Sequence, residues 1–155
     1  MSTTKPLIDG TVFSHGTMDS RDAQKTQKFL QEFLGIRSVR KSKGTQYVWL
    51  GGRWIIAALN VGNKIPPRQG DGFRFGLLVN TPQEVDAAYK AAVEQQEKWD
   101  IREVRTVTDD GDTRSFILQD FDGNWWEIYH RPGHLYDDLF DKKGIVTKPA
   151  LVAAK

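Results

Sequence analysis

The stretch Asp120 to His130, DFDGNWWEIYH, carries one carboxylate, Glu127, inside a run of Trp, Ile and Tyr. An unpaired charge in such a run is costly to bury, so Glu127 calls for a metal ion, a basic side chain, or water on an outer face. The chemistry open to it is that of a metal ligand, a salt-bridge partner or a solvated carboxylate. Side chains alternate along a strand, which sets Glu127 with Trp125 and Tyr129 and turns His130 the other way. His134 follows Pro132-Gly133 in a loop. His15 stands in VFSHGTM, where alternation sets it on one face with Phe13 and Thr17. Of the aromatic set Trp49, Trp54, Trp125, Trp126 and Tyr129, most serve a core. Alternation still allows Trp54, Trp125 and Tyr129 onto a cavity wall, where they suit a flat ligand.

These residues must be positioned by strands, and the chain reads as one strand-and-helix unit written twice. Val12 to Met18 reads as a strand, and Arg21 to Leu34 as a helix with apolar Ala23, Phe29, Leu30, Phe33 and Leu34, ended by Gly35. Ile36 to Lys41, Gln46 to Leu50 and Trp54 to Leu59 follow as strands, the last two joined across Gly51-Gly52. After the connector VGNKIPPRQGDG the order restarts with FRFGLLV. TPQE at 81–84 is a capping box with Pro at the first helical position, and Val85, Ala88, Tyr89, Ala92 and Val93 mark a helix face. Ile101 to Val107, Thr113 to Gln119 and Asn124 to His130 complete a second β-α-β-β-β. One constant offset maps Leu30 onto Tyr89, Leu34 onto Val93 and His15 onto Arg74. Matching Gly52 to Gly123 maps Ile56 onto Glu127.

The expected class is α+β: two tandem β-α-β-β-β modules whose curled sheets surround a central cavity, with helices on the convex backs. The expected boundaries are an N-terminal arm (1–11), a first module (12–60), a linker (61–72), a second module (73–130) and a C-terminal extension (131–155). That extension contains GHLYDDLF, whose apolar Leu135, Tyr136, Leu139 and Phe140 suit a lid or a dimer arm.

The 155 residues carry 22 basic and 20 acidic side chains, a net charge of +2 without long runs of either sign, which points away from nucleic acid as a partner. The chain has no cysteine, which removes disulfides, thiolate metal sites and a thiol nucleophile together. Neither a signal peptide nor a stretch long enough to span a bilayer is recognisable, so a cytoplasmic location and no membrane partner are expected.

SHGTMDSRDAQKTQKFLQEFLGI, FRFGLLV and DFDGNWWEIYH together resemble modules of the vicinal oxygen chelate superfamily, which includes glyoxalase I, extradiol dioxygenases, fosfomycin-resistance proteins and bleomycin-binding proteins. The resemblance covers roughly residues 12 to 130. In metal-dependent members it implies a divalent ion held by a His on the first strand, a second ligand on the first strand of the other module, and a Glu on the last strand. Those positions fall on His15, Arg74 and Glu127, and a fourth on Ile56. Arginine stays protonated and offers no lone pair, so Arg74 cannot coordinate.

A guanidinium there is expected instead to pair with Glu127, forming a bidentate salt bridge that replaces the ion. The resemblance therefore implies a glyoxalase- or dioxygenase-like protein that acts on, or binds, a small aromatic or hydrophobic oxygenated molecule. Phe13, Trp54, Trp125 and Tyr129 would line the cavity, and His15, Arg74 and Glu127 would be the reactive set. Metal-free action is favoured, with Glu127 or His15 as general base and Arg74 or indole N–H groups steadying negative charge on oxygen. The alternatives are a metal-dependent lyase, isomerase or ring-cleaving dioxygenase using iron, manganese, zinc or nickel on His15 and Glu127, and a non-catalytic drug-binding resistance protein. The partners expected are a small molecule and a second copy of the chain in a homodimer.

Overall fold

The computed structural model describes residues 15–50, 54–62 and 70–132. Phe13, Gly51-Gly52, His134, most of the linker and nearly all of the C-terminal extension lie outside them.

Two sheets form, each by the same path. In the first, β1 (His15–Ser20), β2 (Arg37–Ser42), β3 (Thr45–Trp49) and β4 (Ile55–Asn60) lie in the order β1-β4-β3-β2. In the second, β5 (Arg74–Leu78), β6 (Glu103–Val104), β8 (Thr113–Gln119) and β9 (Trp125–His130) lie in the order β5-β9-β8-β6, and β7 (Thr108–Asp110) also pairs with β8. Both first strands run parallel to their last strands, β1 along β4 and β5 along β9. A parallel pair needs a long crossover, and each module's helix supplies it.

The first helix, α1 (Ala23–Lys28), starts at Asp22, whose carboxylate accepts from the backbone N–H of Gln24 and Lys25. It runs on into a π-helical turn at Phe29–Phe33, and Gly35 at φ 67° ends it, as expected. The second helix, α2 (Pro82–Glu94), carries the full capping box of Thr81 and Glu84. Val85 and Ala92 are buried on it, but Val93 is 48% exposed, so the apolar stripe is narrower than the sequence suggests. The strand expected over 101–107 is broken. Val104 pairs with Leu118 and Thr108 with Ser115, leaving one extra residue on the first side, which is the geometry of a bulge.

The core lies between the inward rows of the two sheets and the helices: Met18, Val48, Ile56 and Ala58 from one side, Phe116, Leu118, Trp126 and Ile128 from the other. Phe29 and Phe33 from the first module meet Trp99 of the second edge-on and tilted. Register corrects one expectation. His15 pairs with Ile55 and Arg74 with Trp125, so the strand pairing sets Ile55 against Trp125 and therefore Ala57, and not Ile56, against Glu127. A slip of one residue exchanges the two faces of a strand, and Ile56 accordingly faces the core.

Candidate functional site

The turn that delivers Glu127 is built from buried polar groups. Asp120 accepts hydrogen bonds from the backbone N–H of Asp122 and Asn124 and from Trp126 Nε1, all at 2.9 Å. Burial pushes its carboxyl up to about 6, against the lowering effect of these donors. Asp122 reaches back to the first module, where its carboxylate accepts from Arg21 N (2.8 Å), Arg21 Nε (3.3 Å) and Thr26 Oγ1 (2.8 Å). Its pKa is raised as well, by burial first, opposed by these donors. Asn124 Nδ2 donates to the Asp19 carbonyl at 3.0 Å, a second tie across the modules. Gly123, at φ 97°, takes a backbone conformation that side-chain-bearing residues rarely adopt.

Beyond that turn β9 puts Trp125, Glu127 and Tyr129 on the row facing away from the core, beside Arg74 and Gly76 of β5. Arg74 Nε donates to Glu127 Oε2 at 2.7 Å, and Arg74 Nη1 donates to the carbonyl of Asp71 at 3.1 Å. The pair is half-buried, with side-chain exposures of 37% for Arg74 and 22% for Glu127. The electrostatic partner of the carboxylate is the arginine expected from the sequence, but through a hydrogen bond from Nε and not the bidentate pair expected, since Nη1 turns to the Asp71 carbonyl.

The surroundings were not legible beforehand. Arg105 stacks over Trp125, 4.7 Å from the ring centroid, and pairs with Glu103 (2.7 Å) and with Asp71. Hydrogen bonding to Arg105 holds the Asp71 carboxyl below the usual carboxylate range. Trp125 is thereby sealed to 5% exposure. Tyr129 lies against Gly76, where an added Cβ would sit 3.1 Å from its ring. Arg105 lies just past the end of β6, two residues after Glu103, and within the strand expected over 101–107 that spacing is a same-face signal.

A cavity of about 210 Å³ lies between the sheets, on the inner side of this row. Val48, Trp54, Ile56, Phe75 and Trp126 line it together with Arg74. Trp54 crosses over Gly16, where a Cβ would come within 2.8 Å of its ring, and its centroid is 6.5 Å from that of Phe75. A second cavity of about 320 Å³, towards α2, shares Leu50 and Leu77 with the first. His15, Glu127, Trp125 and Tyr129 are not among the residues lining either cavity. Of the sequence-derived set, the fold thus brings together Arg74 with Glu127, and Arg74 with Trp54. His15 sits exposed at the start of β1, in the other sheet.

As a metal site the donor set does not fit. Among the described residues no group of three or more His, Asp or Glu converges. Arg74, with no lone pair to give, is bonded to the Glu127 carboxylate. Nor, among the described residues, is any helix long and apolar enough to cross a membrane.

A family model described as Glyoxalase/Bleomycin resistance protein/Dioxygenase superfamily matches residues 13–128. No curated protein sequence matches the chain significantly. Among solved structures, a glyoxalase/dioxygenase from Nostoc punctiforme is 18% identical, covers 85% of this chain and 100% of its own, and superposes with a TM-score of 0.63. The fosfomycin resistance protein FosX from Listeria monocytogenes is 23% identical over 83% of this chain and 97% of its own, with a TM-score of 0.59. A mutant of that protein was solved with Mn(II) and 1S,2S-dihydroxypropylphosphonic acid. Lactoylglutathione lyase from Agrobacterium tumefaciens is 17% identical over 78% of this chain and 94% of its own, with a TM-score of 0.54.

Proposed function

This chain belongs to the Glyoxalase/Bleomycin resistance protein/Dioxygenase superfamily, and from that premise we propose that it binds, and acts without a metal on, a small aromatic or hydrophobic molecule bearing oxygen. The observation that carries this reading is the double membership of Arg74. It is one of the residues lining the apolar cavity, and its guanidinium engages Glu127. A ligand whose flat or greasy part enters among Trp54, Phe75 and Trp126 would present its oxygen to a fixed cation at the mouth. The remaining donors of the guanidinium suit a carbonyl, enolate or carboxylate oxygen. Glu127, held by Arg74, orients that cation and is the base available to an acidic C–H or O–H of the ligand.

The same reading places the protein in the cytoplasm as a homodimer. The outward row of the first sheet supports the second copy: Val39, Tyr47, Trp49 and Leu59 are 62%, 36%, 37% and 39% exposed, a large apolar patch for a lone chain. Covering it would also enclose the outward row that carries His15. The experiment is a screen of aromatic and aliphatic carbonyl compounds by thermal shift, followed by turnover assays of each hit before and after chelation. Stabilisation by a carbonyl compound that is lost in Arg74→Met is expected, with turnover insensitive to chelator. Binding without any turnover would convert the reading to a drug-binding role. A stoichiometric metal in purified protein, lost in both His15→Ala and Glu127→Ala, would overturn it in favour of the metal-dependent alternative.

A further inference from the structure

Away from that site, a larger cavity of about 580 Å³ opens where the two modules meet. Arg21 and Lys25 line it from the start of the first helix, Arg40 and Lys43 from the β2–β3 hairpin, and Phe121 from the DFDGN turn. Four cations around one space repel one another unless each is answered. Two of them are. Arg21 is bonded to the Asp122 carboxylate and the Phe121 carbonyl, and Lys25 to Asp100 while lying 4.4 Å over the Phe121 ring. Arg40 and Lys43 make no side-chain hydrogen bond or ion pair among the described residues. Asp22, the one carboxylate on the wall, is engaged as the cap of α1 through the N–H groups of Gln24 and Lys25. Two cations without an ion-pair partner among the described residues therefore line a polar space that Gln24 and Asn60 also line. Its volume falls in the range of small-molecule sites, about 300–1,000 Å³.

We propose that this cavity is a binding site for a small molecule bearing a phosphate-type anion, held by Arg40 and Lys43 and bridging the two modules. Arginine and lysine are the residues suited to such a group, the first as a planar fork and the second as a point charge. Bridging follows from the wall itself, since the hairpin belongs to the first module and Phe121 to the second. A ligand there would tighten the same seam that Asp122 already holds, so occupancy stabilises the folded chain by mass action.

The test titrates inorganic pyrophosphate into the full chain at low ionic strength, read by calorimetry and by two-dimensional amide NMR. Saturable binding is expected, with shifts at the Gln24 and Asn60 side-chain amides. The Arg40→Gln/Lys43→Gln variant is expected to bind about tenfold more weakly or worse, the loss of charge-assisted hydrogen bonds. Lys90→Gln, on the exposed face of α2, is expected to leave affinity unchanged. Should the double variant not fold, Lys43→Gln alone, in an exposed turn, is expected to weaken binding by about threefold or more. The proposal is overturned if pyrophosphate causes no saturable shift at those amides. It is equally overturned if Lys43→Gln binds as the parent does, or if Lys90→Gln weakens binding as much as the cavity variants, which would mark diffuse attraction to a basic surface. Arg74→Met is expected to bind pyrophosphate normally, which separates this site from the apolar one.

Discussion

At the scale of single residues the molecule turns on which charges are answered and by what. Arg74 answers Glu127 at 2.7 Å, in a setting open enough that the pair's contribution to stability is modest. Arg74→Met is expected to cost about 1 kcal/mol in urea unfolding while abolishing ligand-induced thermal shift, so that binding falls more than stability. Gly16 is a second point of leverage. A Cβ there would come within 2.8 Å of the Trp54 ring, so Gly16→Ala is expected to displace the indole from the cavity wall. Tryptophan fluorescence would report the change, with a loss of about 1–2 kcal/mol from overpacking.

Asp120 sets the pH dependence at this scale. Its folded pKa of about 6 lies above its ordinary value of 3.8, so the protonated form is favoured by folding. Its contribution is full below about pH 4 and is lost as pH rises through 6, by up to about 3 kcal/mol. The difference in unfolding free energy between parent and Asp120→Asn, measured from pH 4 to 7, is expected to trace that loss. A flat difference would show that the hydrogen bonds from Asn124 and Trp126 fully offset burial.

At the scale of elements, local rules account for most of what forms. The capping box at Thr81 and Glu84 was legible because its chemistry lies within one turn. Thr81→Ala is expected to destabilise by about 1 kcal/mol, read in chemical denaturation. The broken edge strand was not legible, because alternation describes a strand but not how many residues its partner offers. Four steps from Val104 to Thr108 meet three from Leu118 to Ser115, and the excess residue becomes the bulge. Arg105 issues from that break and reaches Trp125, so an irregularity in pairing covers an indole of the outward row.

At the scale of the whole molecule, the two modules act as one body through a small number of directed contacts. Asp122 takes hydrogen bonds from Arg21 and Thr26, Asn124 bonds the Asp19 carbonyl, and Trp99 receives Phe29 and Phe33. Asp122→Ala is expected to cost about 3 kcal/mol, since it leaves buried donors without acceptors, and to raise amide exchange in both modules together. Exchange confined to the second module would show that the tie is local. For assembly, Val39→Glu on the outward row of the first sheet is expected to convert a dimer to a monomer in analytical ultracentrifugation. An unchanged mass would remove the second copy from that face.

From the sequence by itself came the class of the fold, the doubled module, the helix signals and the pairing of Arg74 with Glu127. Each depends on periodicity, on a local motif, or on the chemical fact that arginine cannot coordinate a metal. Tertiary structure decided the rest. The match read from the glycine turns, Gly52 to Gly123, is off by one residue, and pairing alone showed that Ala57 rather than Ile56 corresponds to Glu127. That single step decides which face a side chain occupies, and so why Glu127 stands on the outward row while the cavity opens on the inward one. The gathering of Arg40 and Lys43 beside Phe121 is likewise invisible in the chain, because attraction and repulsion act through space and the residues concerned lie far apart in sequence.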